Sequence, residues 1–122
     1  MQIEGFDSNI VAKYGGPRSP LSFGDRCQLV GDEILKTYEH FEQVTKPNKS
    51  FRGQPFDRLG MKQGKWYIVE IKGGQHGFGG VPSHTQKRRI REVLEAVSEI
   101  EPVLLQIDLE NAKYKVRYGR EV

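Results

Sequence analysis

The chain has 122 residues, 36% of them hydrophobic and 29% charged, with a formal net charge of +3 and a pI near 9.0. That length suits a single domain with a modest core, the single Cys27 excludes an internal disulfide and a cysteine-rich zinc site, and no apolar run approaches the roughly 20 residues of a membrane span. Mild basicity suits a polyanionic partner without requiring one. The opening Met1-Gln2-Ile3-Glu4 lacks the basic and apolar regions of a signal peptide, so the expected location is the cytoplasm.

Residues 1–20 hold Gly5, Gly15, Gly16, Pro17 and Pro20. They are expected to form an irregular arm, with a short strand at Ile10-Val11-Ala12. Ser22 can cap a helix, along which Leu29, Val30, Ile34, Leu35, Tyr38 and Phe41 recur at helical spacing. That helix should end before Pro47. Residues 41–53 are ambiguous: 41–45 suit an edge strand, and Lys46-Pro47-Asn48-Lys49 suits a turn.

Two strands follow, at 56–61 and 66–72, the second rich in aromatic and β-branched residues. Lys62-Gln63-Gly64-Lys65 joins them. With Gln63-Gly64 as a two-residue loop, Asp57 falls opposite Glu70, with Cβ atoms about 4.5–5.5 Å apart. Alternation puts Glu70 and Lys72 on one face and Tyr67, Val69 and Ile71 on the other. Two facing acids repel unless a cation lies between them. Two carboxylates and a lysine at one spot form the set that a magnesium-dependent phosphodiesterase needs. The plainer alternative is a solvated hairpin face with a cross-strand ion pair. The apolar Tyr67-Ile68-Val69 run weighs against it, because it suits a buried central strand that delivers charge at its end.

Beyond the hairpin, residues 73–80 contain five glycines and form a loop. It lacks the lysine and spacing of a nucleotide-binding P-loop. Ser83 and Gln86 make a capping-box pattern. Ile90, Val93, Leu94, Val97 and Ile100 then form the apolar stripe of a helix that Pro102 stops. Residues 103–109 read as a buried strand and 113–118 as a final strand of alternating polarity. His40, His76 and His84 lack the companions of a zinc site and read as polar surface residues; Cys27 reads as a small core residue. This order of elements indicates an α/β or α+β domain with a mixed sheet flanked by helices.

The ordered set Glu33, Asp57, Glu70-Ile71-Lys72 and Gln86 resembles the PD-(D/E)XK nuclease superfamily, to which many restriction enzymes and archaeal Holliday junction resolvases belong. The likeness spans roughly residues 22–109. One departure is Pro55-Phe56-Asp57, where the proline does not immediately precede the aspartate. The resemblance implies a restriction-endonuclease-like fold with an αβββαβ core. It also implies a Mg2+-dependent endonuclease acting on DNA, with Mn2+ as a substitute and junction or branched DNA of repair and recombination as a candidate substrate. Asp57 and Glu70 would hold the metal, joined by the Ile71 carbonyl and by Glu33 directly or through water. Lys72 would orient the attacking water or stabilise developing charge.

Two of these assignments have competing explanations. Asp32 and Glu33 are adjacent and both suit a solvated helix face; Glu33 lies nearer the apolar boundary beside Val30 and Ile34, and the family pattern favours it. Gln86 is explained equally by capping and by a place beside the site. Lys87, Arg88, Arg89 and Arg91 crowd the first turns of their helix, where cations oppose the macrodipole. An anionic partner would relieve this through phosphate contacts, whereas a plain solvated face would be balanced by Glu92 and Glu95. Arg18, Lys49 and Arg52 would extend the basic surface. With no room for a separate DNA-reading domain, specificity is expected from a homodimer, a partner protein or DNA shape. Alternatives are a non-catalytic nucleic-acid-binding module on the same fold, an RNA-directed nuclease, and a structural interaction protein with no salt-dependent nucleic-acid affinity.

Overall fold

A computed structural model describes residues 2–16, 18–48 and 56–119. In chain order the elements are β1 (Ile3–Gly5), α1 (Asn9–Lys13), α2 (Phe23–Thr37), β2 (Gln43–Thr45), β3 (Arg58–Lys62), β4 (Lys65–Gly74), α3 (His84–Ala96), β5 (Glu101–Asp108) and β6 (Lys113–Tyr118). The strands form one six-stranded sheet in the order β1-β6-β5-β4-β3-β2. Only β4 and β5 run parallel, so the sheet is mixed. Among the described residues no helix is long and apolar enough to cross a membrane.

The β3–β4 register follows from its turn. Gln63 and Gly64 both take positive φ, 51° and 74°, which is the type I′ geometry whose twist matches the flanking strands. Arg58 therefore pairs with Val69 and Lys62 with Lys65, the expected register. β4 then alternates between two cores. Val69 and Ile71 join Val30, Ile34, Leu35 and Leu105 under α2. Ile68 joins Ile90, Leu94 and Ile100 under α3. The two long helices thus lie on opposite faces of the sheet.

Helix α2 crosses β4 at close range and antiparallel to it, with Cys27 over Gly73 and Gly31 over Ile71. Ser22 caps it by accepting the Asp25 N–H. At its far end, Glu39 accepts hydrogen bonds from the hydroxyls of Tyr114 and Tyr118, both at 2.7 Å. Lys62 Nζ donates to the Tyr118 hydroxyl and lies over its ring, closing that end of the sheet.

Several expectations are corrected. Ile10-Val11-Ala12 is helix rather than strand: Asp7 Oδ1 accepts the Asn9 N–H at the helix start, and one helical face lets Ile10, Val11 and Tyr14 all reach the α2 core. The arm does contain a strand, but it is β1, specified by pairing with residues 113–115 of β6. Helix α2 stops at Thr37, with His40 in the left-handed region at φ 61°; Phe41 continues the apolar stripe from outside the helix and lies over Gly60. Helix α3 stops at Ala96 rather than near Pro102. Val97 is already extended and exposed, while Ile100 still reaches the core. The edge strand expected at 41–45 is β2, and β6 has the predicted bounds.

A Cβ on Gly31 would meet the Ile71 side chain at 2.9 Å. Gly31→Val is therefore expected to lower stability by about 1–3 kcal/mol through overpacking, measured by urea unfolding. Ile71→Val in the same background should recover part of the loss.

Candidate functional site

Strand β4 is buried along its middle and opens at its C-terminal end, where Glu70 and Lys72 face the α3 side. Glu70 is only 2% exposed. Asp57 lies just before β3, and its Oδ2 accepts the Ile71 N–H at 2.8 Å. In an extended residue the C=O points to the same side as the N–H, so the Ile71 carbonyl is also directed at this edge. The Glu70 carboxyl hydrogen-bonds to Asp57. Its Oε2 is buried with no hydrogen-bond partner among the described residues. Burial, then the neighbouring Asp57 charge, pushes the Glu70 pKa up to about 8, with Lys72 pulling partly back.

Lys72 Nζ donates to Gln86 Oε1 at 2.8 Å. The same oxygen accepts the Ser83 N–H at 2.9 Å, while the Gln86 N–H donates to Ser83 Oγ at 3.2 Å. Gln86 thus caps its helix and holds the lysine, and the two explanations left open above are met by one side chain.

The helix residue that reaches the acids is Gln28. Its Nε2 donates to Asp57 Oδ1 at 3.0 Å, and its Oε1 accepts from Arg58 Nη1 at 2.9 Å. Arg58 is buried, and its Nε and Nη2 engage both oxygens of Asp32 at 2.7 and 3.0 Å; Nη1 also donates to the Asp57 carbonyl. Such a bidentate pair satisfies a buried guanidinium. Asp32 meets the Arg58 guanidinium at both of its carboxylate oxygens, and the neutral amide of Gln28 bridges Arg58 to the Asp57 side chain.

Glu33 does not join this group. Its Oε1 accepts from Lys13 Nζ at 3.3 Å, and its hydrogen bond is the leading cause that pushes the Tyr14 hydroxyl pKa up to about 12. The side of α2 explains the difference: Gln28 and Asp32, one turn apart, meet Asp57 and Arg58, whereas Glu33, about 100° further round the helix, turns to Lys13 of α1. Among the described residues no three His, Cys, Asp or Glu side chains gather as a metal-holding group. The donor set that does fit a hard divalent ion is Asp57, Glu70 with its orphaned oxygen, and the Ile71 carbonyl.

On α3, His84, Thr85, Lys87, Arg88 and Arg91 line a depression of about 290 Å3, and Arg89 is half-buried on the same helix. Arg18 lies exposed in the turn between α1 and α2 in the chain. Lys49 and Arg52 lie outside the described residues. Gln106, which the sequence did not single out, is buried on β5 beside Lys72. Its Nε2 donates to the carbonyls of Gly79 and Gly80 at 2.8 and 3.1 Å, tying the glycine loop down next to the lysine. Neither known protein families, nor curated proteins, nor solved structures include a match to this chain.

A raised carboxyl pKa means that the folded chain holds a proton the unfolded chain has lost. In metal-free buffer, the stabilisation from Glu70 is full below about pH 4.5 and is lost as pH rises through about 8. Glu70→Gln should therefore flatten the fall in Tm over that interval, read by circular-dichroism melts, and should abolish any rise in Tm on adding Mg2+.

Proposed function

We propose that the chain is a metal-dependent endonuclease that hydrolyses phosphodiester bonds in DNA, on a restriction-endonuclease-like fold of the PD-(D/E)XK type. The observation that carries this is the Asp57–Glu70 acid pair with Lys72 beside it on the open end of a buried strand. The observed order α2-β2-β3-β4-α3-β5 agrees with an αβββαβ core, with Glu70 on β4 and Asp57 in the residue before β3.

Asp57, Glu70 and the Ile71 carbonyl would hold a Mg2+ or Mn2+ ion. Such an ion supplies Lewis-acid polarisation of the phosphate and a bound water of lowered pKa. The rest falls to the chain's own groups. Lys72, tethered through Gln86, presents an ammonium that orients the water or opposes the charge growing on the phosphate. Gln28 fixes the Asp57 carboxylate by taking Oδ1 while the Ile71 N–H takes Oδ2. Glu33 is left out of the ligand set and the amide of Gln28 stands at the acids instead. The basic turns of α3, beginning at the residue that holds Lys72, supply phosphate-backbone contacts.

The test is cleavage of branched, single-stranded and linear DNA with Mg2+ or Mn2+. Asp57→Ala, Glu70→Gln and Lys72→Ala should each lower the rate by about 10²-fold or more, while binding of the same DNA in chelator persists. Cleavage that survives Asp57→Ala and Lys72→Ala unchanged would sink the mechanism. Salt-dependent binding with neither cleavage nor metal uptake would instead mark a binding module.

A further inference from the structure

Strand β6 carries Lys113, Lys115 and Arg117 at alternate positions. The residues between them, Tyr114 and Val116, pack into the α2 core, so the three cations belong to the opposite face, the one α3 occupies. Lys113 and Arg117 are exposed and have no hydrogen-bond or ion-pair partner among the described residues. Lys115 sets its Nζ 4.6 Å above the Phe78 ring of the glycine loop. On the β5 side of this face the acid is Asp108, and it is buried with both oxygens engaged by Asn111. Asp108 keeps its charge beside Lys113, its register partner, but it spends its oxygens on Asn111 and forms no ion pair with the three cations.

The register ties them to the site. Lys115 pairs with Gln106, and Gln106 pairs with Lys72, two strand spacings or roughly 10 Å across the sheet. The glycine loop, held by Gln106, runs between. Beyond it stands α3 with Lys87, Arg88 and Arg91. Two lines of cations thus flank Lys72, one on a helix and one on a strand.

We infer that these two lines are the walls of a single face whose occupant is double-stranded DNA, gripped through the phosphates of both strands with the acid pair between them. This rests on the phosphodiester reading proposed above and narrows its substrate. Alternate positions on a strand are roughly 7 Å apart, the rise of about two nucleotides along one DNA strand. A single strand follows one line of charge; two lines on either side of a reactive centre match two backbones bordering a groove. Like charges set in a row without ion-pair partners repel one another, and a polyanion relieves that repulsion.

The experiment is an anisotropy titration of the full chain in chelator, with a labelled duplex of about 20 base pairs and with one of its strands, across roughly 0.05–0.2 M salt. The variants are Lys113→Glu/Arg117→Glu and Lys113→Ser/Lys115→Ser/Arg117→Ser, each checked for native melting. The first changes side chains that contact no described partner, so the test does not depend on the triple variant folding. Duplex affinity should fall at least ~10-fold, the salt slope should flatten by about 0.9 for each phosphate no longer neutralised, and single-strand affinity should change less than ~3-fold. Unchanged duplex affinity would leave the charges as protection for an exposed strand edge and overturn the inference; equal losses for both DNAs would overturn the duplex assignment. Absence of salt-dependent binding by the unmodified chain would overturn the nucleic-acid proposal itself, a result distinct from either.

Discussion

Strand β4 is covered on both faces, and its two-residue alternation is the constraint on which the other elements depend. A slip of one residue would turn Glu70 and Lys72 into the α2 core and expel Val69 and Ile71. The Gln63-Gly64 turn prevents that slip locally, and the parallel pairing with β5 prevents it from the other side. Helix α2 can approach closely because Gly31 offers no side chain to Ile71, and this approach sets how far along α2 the site lies. The chemistry at the end of β4 is thus a by-product of hydrophobic register: the residues that fill two cores also aim the acids and the lysine.

The site carries more buried polarity than a small core tolerates without compensation. Arg58, Asp32 and Gln28 meet this by satisfying one another, so that a buried guanidinium does not become an orphan. Glu70 is an exception. Its Oε2, like Arg26 Nε and Glu33 Oε2, is buried without a hydrogen-bond partner among the described residues, and its pKa is raised as well, a combination typical of functional sites. The same network separates two cations: Arg58 is locked into the structure by Asp32, while Lys72 donates to the neutral Gln86 beside the acid pair.

Local signals in the sequence reached far. The turn residues, the capping box and the alternation of the second hairpin strand each depend on neighbours a few positions away, and from them followed the facing of Asp57 and Glu70, the split of β4 between two faces, and β6. What stayed hidden depends on distant contacts. β1 exists because β6 lies beside it, a pairing across the length of the chain. Glu33 looked suitable because it borders an apolar stripe, but which side of α2 faces the acids is decided by β3 lying next to β4. On that side stand Asp32 and Gln28, and the neutral Gln28 carries no charge to betray a role. Lys113, Lys115 and Arg117 resemble any solvated strand face until the register sets them in line with Lys72.

The shared oxygen of Gln86 has a consequence for how the molecule can vary. One acceptor closes the first turn of α3 and tethers the Lys72 ammonium, so helix integrity and lysine placement cannot be tuned separately at this position. Selection for heat resistance and selection for turnover would press on the same atom. Anything that tugs on the basic turns of α3 would also be felt at Lys72, giving the chain a mechanical link between the helix surface and the end of β4.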